Sequence, residues 1–291
     1  MGIRELLDLY GIPYAGPGNR HYRQGWVNIR CPYCGGGSYK FGIGEKRLGG
    51  FCWSCGKHSV KDTLLKINHR IHPDDFQRVW KGRKVLPGKP FAPRGVLKTP
   101  QTVPLTPKHA GYLTSRRFDP KTMQRLWGVQ SIPPGTSVGK LPVGNRIYIP
   151  ISAHRKTVAW QARATFDTDL RYISPPDEMT DIPIKETVYG MDHVSHTAVI
   201  CEGVTDVWRV GPGAVCTYGT SYTDEQVDLL GSVARRVVCF DNEPVAQRKA
   251  DMLVNALGAY PGQTFAVQLE SGSDPDNCDE SELNELRKYI L

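Results

Sequence analysis

Two cysteine pairs, Cys31-Pro-Tyr-Cys34 and Cys52-Trp-Ser-Cys55, stand 17 residues apart. Each Cys-x-x-Cys lets two thiolates grip one ion from a tight turn, and two such knuckles complete the tetrahedron of a structural zinc site. An iron–sulfur cluster, a redox dithiol and disulfides are the competing readings. The paired spacing argues against a lone redox motif. The acidic residues in the opening Met1-Gly-Ile-Arg-Glu-Leu-Leu-Asp8 argue against a secretory leader, and so against disulfides. His58, three residues after Cys55, is a further nitrogen donor that four thiolates make unnecessary. Cys201, Cys216, Cys239 and Cys278 are unpaired in the sequence, and three of them sit in apolar runs where a thiol behaves as a small core residue.

A second set of chemically capable residues is acidic. Glu202 is followed by Asp206 one helical turn on, Asp241 and Glu243 are two apart, and Asp274 and Asp276 lie in Ser-Gly-Ser-Asp-Pro-Asp. Carboxylates gathered at one edge repel each other unless cations neutralise them, and hard oxygen donors suit Mg²⁺ or Mn²⁺. Such ions serve phosphoryl transfer. Taken singly, each of these acids reads equally well as a helix cap or a solvated side chain.

The elements around these residues decide whether the acids converge. Thr197–Cys201, Ala214–Tyr218, Arg236–Phe240 and Thr264–Leu269 read as strands, alternating with helices at 204–210, after Thr223 (carrying Val227, Leu229 and Leu230), at 244–257 and at 279–289. Thr223-x-x-Gln226 forms a capping box, and Gly258 is the expected stop of the 244–257 helix. Continuous apolar strands alternating with helices predict a doubly wound α/β parallel sheet, which takes ligands at the carboxyl ends of its strands. Glu202, Asp241 and the acidic turn after Leu269 all fall at such ends. Around the cysteines, Tyr39–Ile43 and Gly50-Phe51 read as the strands of a small zinc ribbon.

The net charge of +8 over 291 residues is unevenly spread. Residues 1–110 carry 19 Lys/Arg against 6 Asp/Glu, residues 111–196 carry 11 against 8, and residues 197–291 carry 7 against 15. A basic front suits a polyanion and an acidic rear suits cations. Trp26, Tyr33, Tyr39, Phe41, Phe51 and Trp53 are interleaved with Arg20, Arg23, Arg30, Lys40, Lys46, Arg47 and Lys57, a pattern that can stack bases and pair phosphates along a single strand. Some of those rings are needed inside so small a ribbon. Six prolines between Pro87 and Pro107 predict a semi-rigid basic linker. The expected organisation is therefore a zinc-ribbon domain at 1–86, a linker at 87–108, a mixed α+β subdomain at 109–193 and the parallel-sheet subdomain at 194–291. With no apolar run near the roughly 20 residues of a membrane span, a cytoplasmic protein with no membrane partner is expected.

Ile200-Cys-Glu202-Gly203-x-x-Asp206 with Phe240-Asp241-Asn-Glu243 resembles the TOPRIM domain of bacterial-type primases, topoisomerases, zinc-finger recombination mediators and some nucleases. Further segments resemble the bacterial and phage DNA primases alone. They are the leading ribbon, Asn145-Arg146-Ile-Tyr-Ile-Pro-Ile151, Trp160-Gln-Ala-Arg163, Arg171-Tyr-Ile-Ser-Pro-Pro176, Lys185 ahead of Val188-Tyr-Gly-Met191, Thr217-Tyr-Gly-Thr220 and Gly272-Ser-Asp-Pro-Asp276. The resemblance covers about residues 22–66 and 144–277. It departs from the family at Asp241-Asn-Glu243, where Asp-x-Asp is usual, at Ser174, where Asn is usual, and at Arg171, where Lys is usual. Pro134-Gly-Thr-Ser-Val-Gly-Lys-Leu141 is similar to a P-loop only superficially, being one residue short with Leu141 in place of the hydroxyl residue, and reads as a loop.

The resemblance implies a nucleotidyltransferase that makes short RNA primers on single-stranded DNA from ribonucleoside triphosphates. It implies Mg²⁺ or Mn²⁺ held by Asp241, Glu243 and Asp274 or Asp276, with Glu202 as ligand or base and Asp206 in support. Arg146, Arg163, Arg171 and Lys185 would meet template or triphosphate, the ribbon with one Zn²⁺ would read template, and a replicative helicase would act in trans. The chain ends soon after the TOPRIM part, and its length is nearer to short phage primases. Two alternatives keep the same carboxylates: a non-catalytic recombination mediator, which needs no Arg146–Lys185 block, and a nuclease, which needs no ribbon.

Overall fold

The computed structural model describes residues 1–35, 37–45, 50–81 and 95–290, and the elements below are those of the described residues. Helix α1 (Ile3–Leu9) precedes four short strands, β1 (Trp26–Ile29), β2 (Phe41–Gly44), β3 (Gly50–Cys52) and β4 (Gly56–Lys57). They pair antiparallel in sequence order, with Ile29 opposite Phe41 and Phe41 opposite Cys52. Helices α2 (Val60–Ile67) and α3 (Pro73–Lys81) follow. Ser59 caps α2 by accepting the Asp62 N–H at 3.2 Å. Val27, Ile29, Phe41 and Ile43 are fully buried against Leu6, Leu7, Val60 and Leu64, so flanking helices supply much of the ribbon's core. Ala259 and Tyr260, far along the chain, pack on the same cluster.

Residues 87–94 of the expected linker lie outside the described residues, as do Lys46 and Arg47. From Gly95 onward the segment is bonded to the subdomain that follows. The Val96 N–H donates to the Glu178 carbonyl, the Trp160 indole N–H donates to the Lys98 carbonyl at 2.8 Å, and Val103 bridges Ser131. Pro107 already stands at the first position of helix α4 (Pro107–Ser115), which Thr106 caps.

Helix α5 (Pro120–Trp127) leads into β5 (Gln130–Ser131), then a small hairpin of β6 (Ser137–Val138) and β7 (Leu141–Pro142). That hairpin occupies the P-loop-like stretch. The long strands β8 (Arg146–Ala153) and β9 (Lys156–Ala164) pair antiparallel, with β5 and β10 (Tyr172–Ile173) at the two edges. Together they form the expected mixed subdomain.

The third sheet is wholly parallel, in the order β12-β11-β13-β14, built from β11 (Thr197–Cys201), β12 (Ala214–Cys216), β13 (Arg235–Val238) and β14 (Gln263–Ala266). Helices α6 (Val204–Val210), α7 (Asp224–Gly231), α8 (Pro244–Leu257) and α9 (Glu280–Lys288) connect or follow these strands. Side chains alternate across the sheet. Val199, Cys201, Cys216 and Val237 join the core shared with the antiparallel subdomain, while Ala198, Ile200, Val215 and Val238 face α7 and α8. Both faces are thus covered, as continuous apolar strands require. Cys201, Cys216 and Cys239 are fully buried core residues. The strand expected over 264–269 is only four residues long, and Gly258 ends α8 in right-handed backbone (φ −59) rather than in a left-handed cap.

Candidate functional site

The ribbon brings its four thiols together. Cys31 follows β1, Cys34 lies in the next turn, Cys52 ends β3, and Cys55 lies in the turn before β4. Their sulfurs all lie within 4.8 Å of one another, with Cys31 Sγ 3.5 Å from Cys55 Sγ and Cys34 Sγ 3.7 Å from Cys52 Sγ. A tetrahedral Zn²⁺ with about 2.3 Å bonds spaces its sulfurs about 3.8 Å apart, so the four thiols fit one zinc ion. Burial works against the Cys52 thiolate, but the N–H groups of Ser54 and Cys55 outweigh it and bring its pKa down to about 7. His58 Nε2 stands 3.0 Å from Cys55 Sγ while its ring stacks on Tyr33 at 3.9 Å, and burial depresses its pKa. It is placed to support the Cys55 sulfur.

The rings around the ribbon divide. Phe41 is fully buried, whereas Trp26, Phe51 and Trp53 are exposed, with Trp53 edge-on to both of the others. They line one wall of a cleft of about 1110 Å³ whose other wall includes Asp224, Asp228 and Tyr260 of the parallel-sheet subdomain. Arg30 lies over the Tyr39 ring.

At the carboxyl edge of the parallel sheet, Glu202 immediately follows β11 and accepts the backbone N–H of Asp241 at 3.0 Å. Asp241 follows β13, Glu243 stands exposed as the residue before α8, and Asp274 lies in the loop after β14. Asn242 ties that loop to the strand end. Its backbone N–H donates to the Ser273 carbonyl, and its side chain donates to the carbonyls of Leu269 (2.6 Å) and Gly272 (2.7 Å). Burial, then the charges of Glu202, Asp274 and Glu243, push Asp241 up to about 7. Glu202 is also raised, by burial and by Glu243 and Asp274. Oδ1 of Asp241 is buried with no hydrogen-bond partner. An orphaned carboxylate oxygen among mutually repelling acids fits a divalent cation. Among the described residues only the four cysteines present three or more ligand atoms within 4.8 Å of one another, so the acids form an open edge rather than a closed cage.

Asp206 is buried in the first turn of α6, where its Oδ2 accepts the Gly203 N–H at 2.9 Å. Burial raises its pKa to about 8, and Asp241, Asp274 and Asp276 add to the shift. Asp276 is buried in an ion pair with Arg116 and another with Arg209 (3.2 Å). Asp274 instead accepts from the backbone N–H (2.9 Å) and side-chain amide of Asn277.

The four basic residues expected to meet phosphate separate into internal and external positions. Arg146 on β8 is buried and donates to the Leu170 carbonyl at 2.8 Å. Arg163 on β9 is buried between Tyr112 and Tyr172, donating to both hydroxyls. Lys185 gives its ammonium to the carbonyls of Thr217, Tyr218 and Ser221 at 2.8–3.1 Å, which fixes the loop after β12. Arg171 is exposed. Sequence reasoning missed Arg116, Arg117, Arg209 and Asn242 as residues of this edge. Asn242, between two singled-out acids, carried the only local signal.

No protein-family model matches the chain. In sequence it is 26% identical over 179 residues to a DNA primase of Geobacillus stearothermophilus, covering 57% of this chain and 29% of that protein. It is 32% identical over 147 residues to a DNA primase of Haemophilus influenzae, covering 45% and 25%. The chain therefore spans less than a third of the length of the relatives it matches. In fold it is similar to the zinc-binding and RNA polymerase domains of the Aquifex aeolicus primase (TM-score 0.55, 17% identity, 100% of this chain and 82% of that one). It is also similar to the RNA polymerase domain of Mycobacterium tuberculosis primase DnaG (TM-score 0.53, 22% identity, 64% and 76%). Another neighbour is a DnaG primase catalytic domain bound to single-stranded DNA (TM-score 0.52, 16% identity, 65% and 76%). With its thiolate ribbon, antiparallel middle and acid-edged parallel sheet in this order, the chain is similar in sequence and in fold to the bacterial-type DNA primases.

Proposed function

We propose that the chain is a DNA primase, a nucleotidyltransferase that builds short RNA primers on single-stranded DNA. The observation that carries the reading is the orphaned Asp241 oxygen on an acidic strand edge, in a chain whose sequence matches DNA primases. In the reaction, a primer 3′-hydroxyl attacks the α-phosphate of a ribonucleoside triphosphate and pyrophosphate leaves. Asp241, Glu243 and Asp274 would hold Mg²⁺ or Mn²⁺, which would supply Lewis-acid stabilisation of the charge that develops on the phosphate oxygens.

Glu202 holds the Asp241 backbone through its Oε1 and keeps a second oxygen for a metal or a proton. Asp206 caps α6 beneath the edge. Arg171 offers its guanidinium to template or triphosphate, while Arg146 and Arg163 shape that surface from within and Lys185 holds the 217–221 loop from the surface. The ribbon, with Zn²⁺ on its four thiolates, presents Trp26, Phe51 and Trp53 to template bases. A replicative helicase in the same cytoplasm is the expected partner in trans.

The test is ribonucleotide incorporation on single-stranded DNA with Mg²⁺ or Mn²⁺. Primer-length RNA is expected, and it should vanish in Asp241→Asn. No product with either ion, or full activity in that variant, overturns the reading. DNA binding without synthesis would mark a recombination mediator, and DNA cleavage a nuclease.

A further inference from the structure

The buried Asp276 is separated from Asp274 by one residue, Pro275, whose ring locks the backbone between them. Both carboxylate oxygens of Asp276 are engaged by arginines. One of its oxygens takes the Arg116 guanidinium and the other takes Arg209 at 3.2 Å, while its backbone carbonyl accepts from Arg117 at 2.7 Å. Arg209 also donates to the carbonyls of Arg116 and Arg117 at 2.8 and 3.2 Å. Arg116 and Arg117 follow the end of α4, in the antiparallel subdomain, and Arg209 stands on α6, the helix that carries Asp206. On its other side the same loop is pinned by Asn242, between Asp241 and Glu243. The loop holding Asp274 is thus clamped between the acidic strand end and three arginines.

We propose that Asp276 is a positioning residue which, through Arg116 and Arg209, sets Asp274 at the metal-binding edge and does not itself ligate the ion. This rests on the reading of that edge as a divalent-cation site. It also makes the contact between α4 and the parallel sheet a determinant of cation affinity, because Arg116 arrives from another subdomain. The sign of the effect separates positioning from plain electrostatics. Deleting a guanidinium near a cation site strengthens cation binding if charge alone matters, and weakens it if the guanidinium holds a ligand loop in place.

The experiment is a Mn²⁺ titration of the full zinc-loaded chain, followed by electron paramagnetic resonance of free Mn²⁺, with no nucleotide or DNA present. Arg116→Ala is expected to weaken Mn²⁺ binding about tenfold at unchanged stoichiometry, in the range of lost outer partners of metal ligands. Arg116→Lys should recover most of the affinity. Asp276→Asn should also weaken binding without losing an ion, whereas Asp274→Asn should weaken it further or lose one. Thermal unfolding of the zinc-loaded chain without Mn²⁺ checks that each variant folds, and Arg116→Gln replaces Arg116→Ala if that one does not.

Tighter or unchanged Mn²⁺ binding in Arg116→Ala overturns the inference, and so does loss of one ion in Asp276→Asn, which would make Asp276 a ligand. Absence of Mn²⁺ binding by the unaltered chain overturns the metal reading itself, a result distinguishable from either of these.

Discussion

Glu202 Oε1 accepts the backbone N–H of Asp241 at 3.0 Å, so one acid just after β11 fixes the main chain that presents another after β13. The bond holds two carboxylates close in a partly dry edge that has not neutralised them. Asp241 is carried up to about 7 and Asp206 to about 8, both chiefly by burial.

A carboxyl whose folded pKa is raised contributes stability that is complete below its unfolded pKa, near 4, and is lost as pH rises through the folded value. The zinc-loaded chain without Mg²⁺ should therefore lose thermal stability between about pH 5 and pH 8, and millimolar Mg²⁺ should raise Tm more at pH 8 than at pH 5.5. Asp241→Asn should reduce that loss, leaving the part due to Asp206, and raise Tm at pH 8 by about 2–4 °C, the effect of about 1 kcal/mol in a domain of 150–250 residues. The check is calorimetry across that range, and a flat profile for the unaltered chain would count against an unneutralised acidic edge.

The zinc site should behave as a folding element of the ribbon. Cys31 and Cys52 are buried against the ribbon core, while Cys34 and Cys55 close the site from outside. One zinc per chain is expected by elemental analysis, falling to substoichiometric and weakly held metal in Cys31→Ser or Cys55→Ser. His58→Ala should keep its zinc, because four thiolates already close the tetrahedron. Loss of metal in that variant as complete as in Cys55→Ser would make the His58 nitrogen a ligand.

Much of this was legible because it is local. Cys-x-x-Cys spacing, the Thr223–Gln226 capping box and the apolar runs of β11 and β13 each carry their meaning within a few residues, and the structure has them where the sequence placed them except that β13 starts one residue earlier and ends at Val238. The direction of long polar side chains was not legible, since the partners lie far along the chain. Arg163 finds Tyr112 from 51 residues away, and Asp276 finds Arg116 from 160. The short β14 has the same cause. Pairing with β13 ends at Ala266, and beyond it Asn242 draws the Leu269 carbonyl to a side chain.

Lys185 separates a structural cation from a phosphate-binding one. Its ammonium serves three carbonyls of the loop 217–221, where Tyr218 already holds a left-handed backbone (φ 58) and Gly219 donates to the Glu202 carbonyl. Lys185→Met removes those three donors at once. The expected result is a loss of roughly 1–3 kcal/mol of stability, read as a lower Tm, with the salt dependence of single-stranded DNA binding unchanged. A reduced salt slope at unchanged Tm would instead put the ammonium on a phosphate.

Arg171 should give the opposite pattern. It is exposed beside β10, its neighbour Tyr172 hydrogen-bonds to the buried Arg163, and its own carbonyl accepts the Ala164 N–H. The backbone at this position is therefore fixed while the guanidinium remains in water. A cation held ready in this way gains from meeting a phosphate without giving up an internal partner. Each neutralised phosphate adds about 0.7 to the slope of log K against log salt for a single strand. Arg171→Ala should lower that slope by about 0.7 and weaken binding similarly across template sequences, with Tm unchanged. Fluorescence anisotropy with a labelled oligonucleotide at several salt concentrations is the check. An unaltered slope would remove Arg171 from the template path, and a slope restored by Arg171→Lys would show that charge alone is what the phosphate uses there.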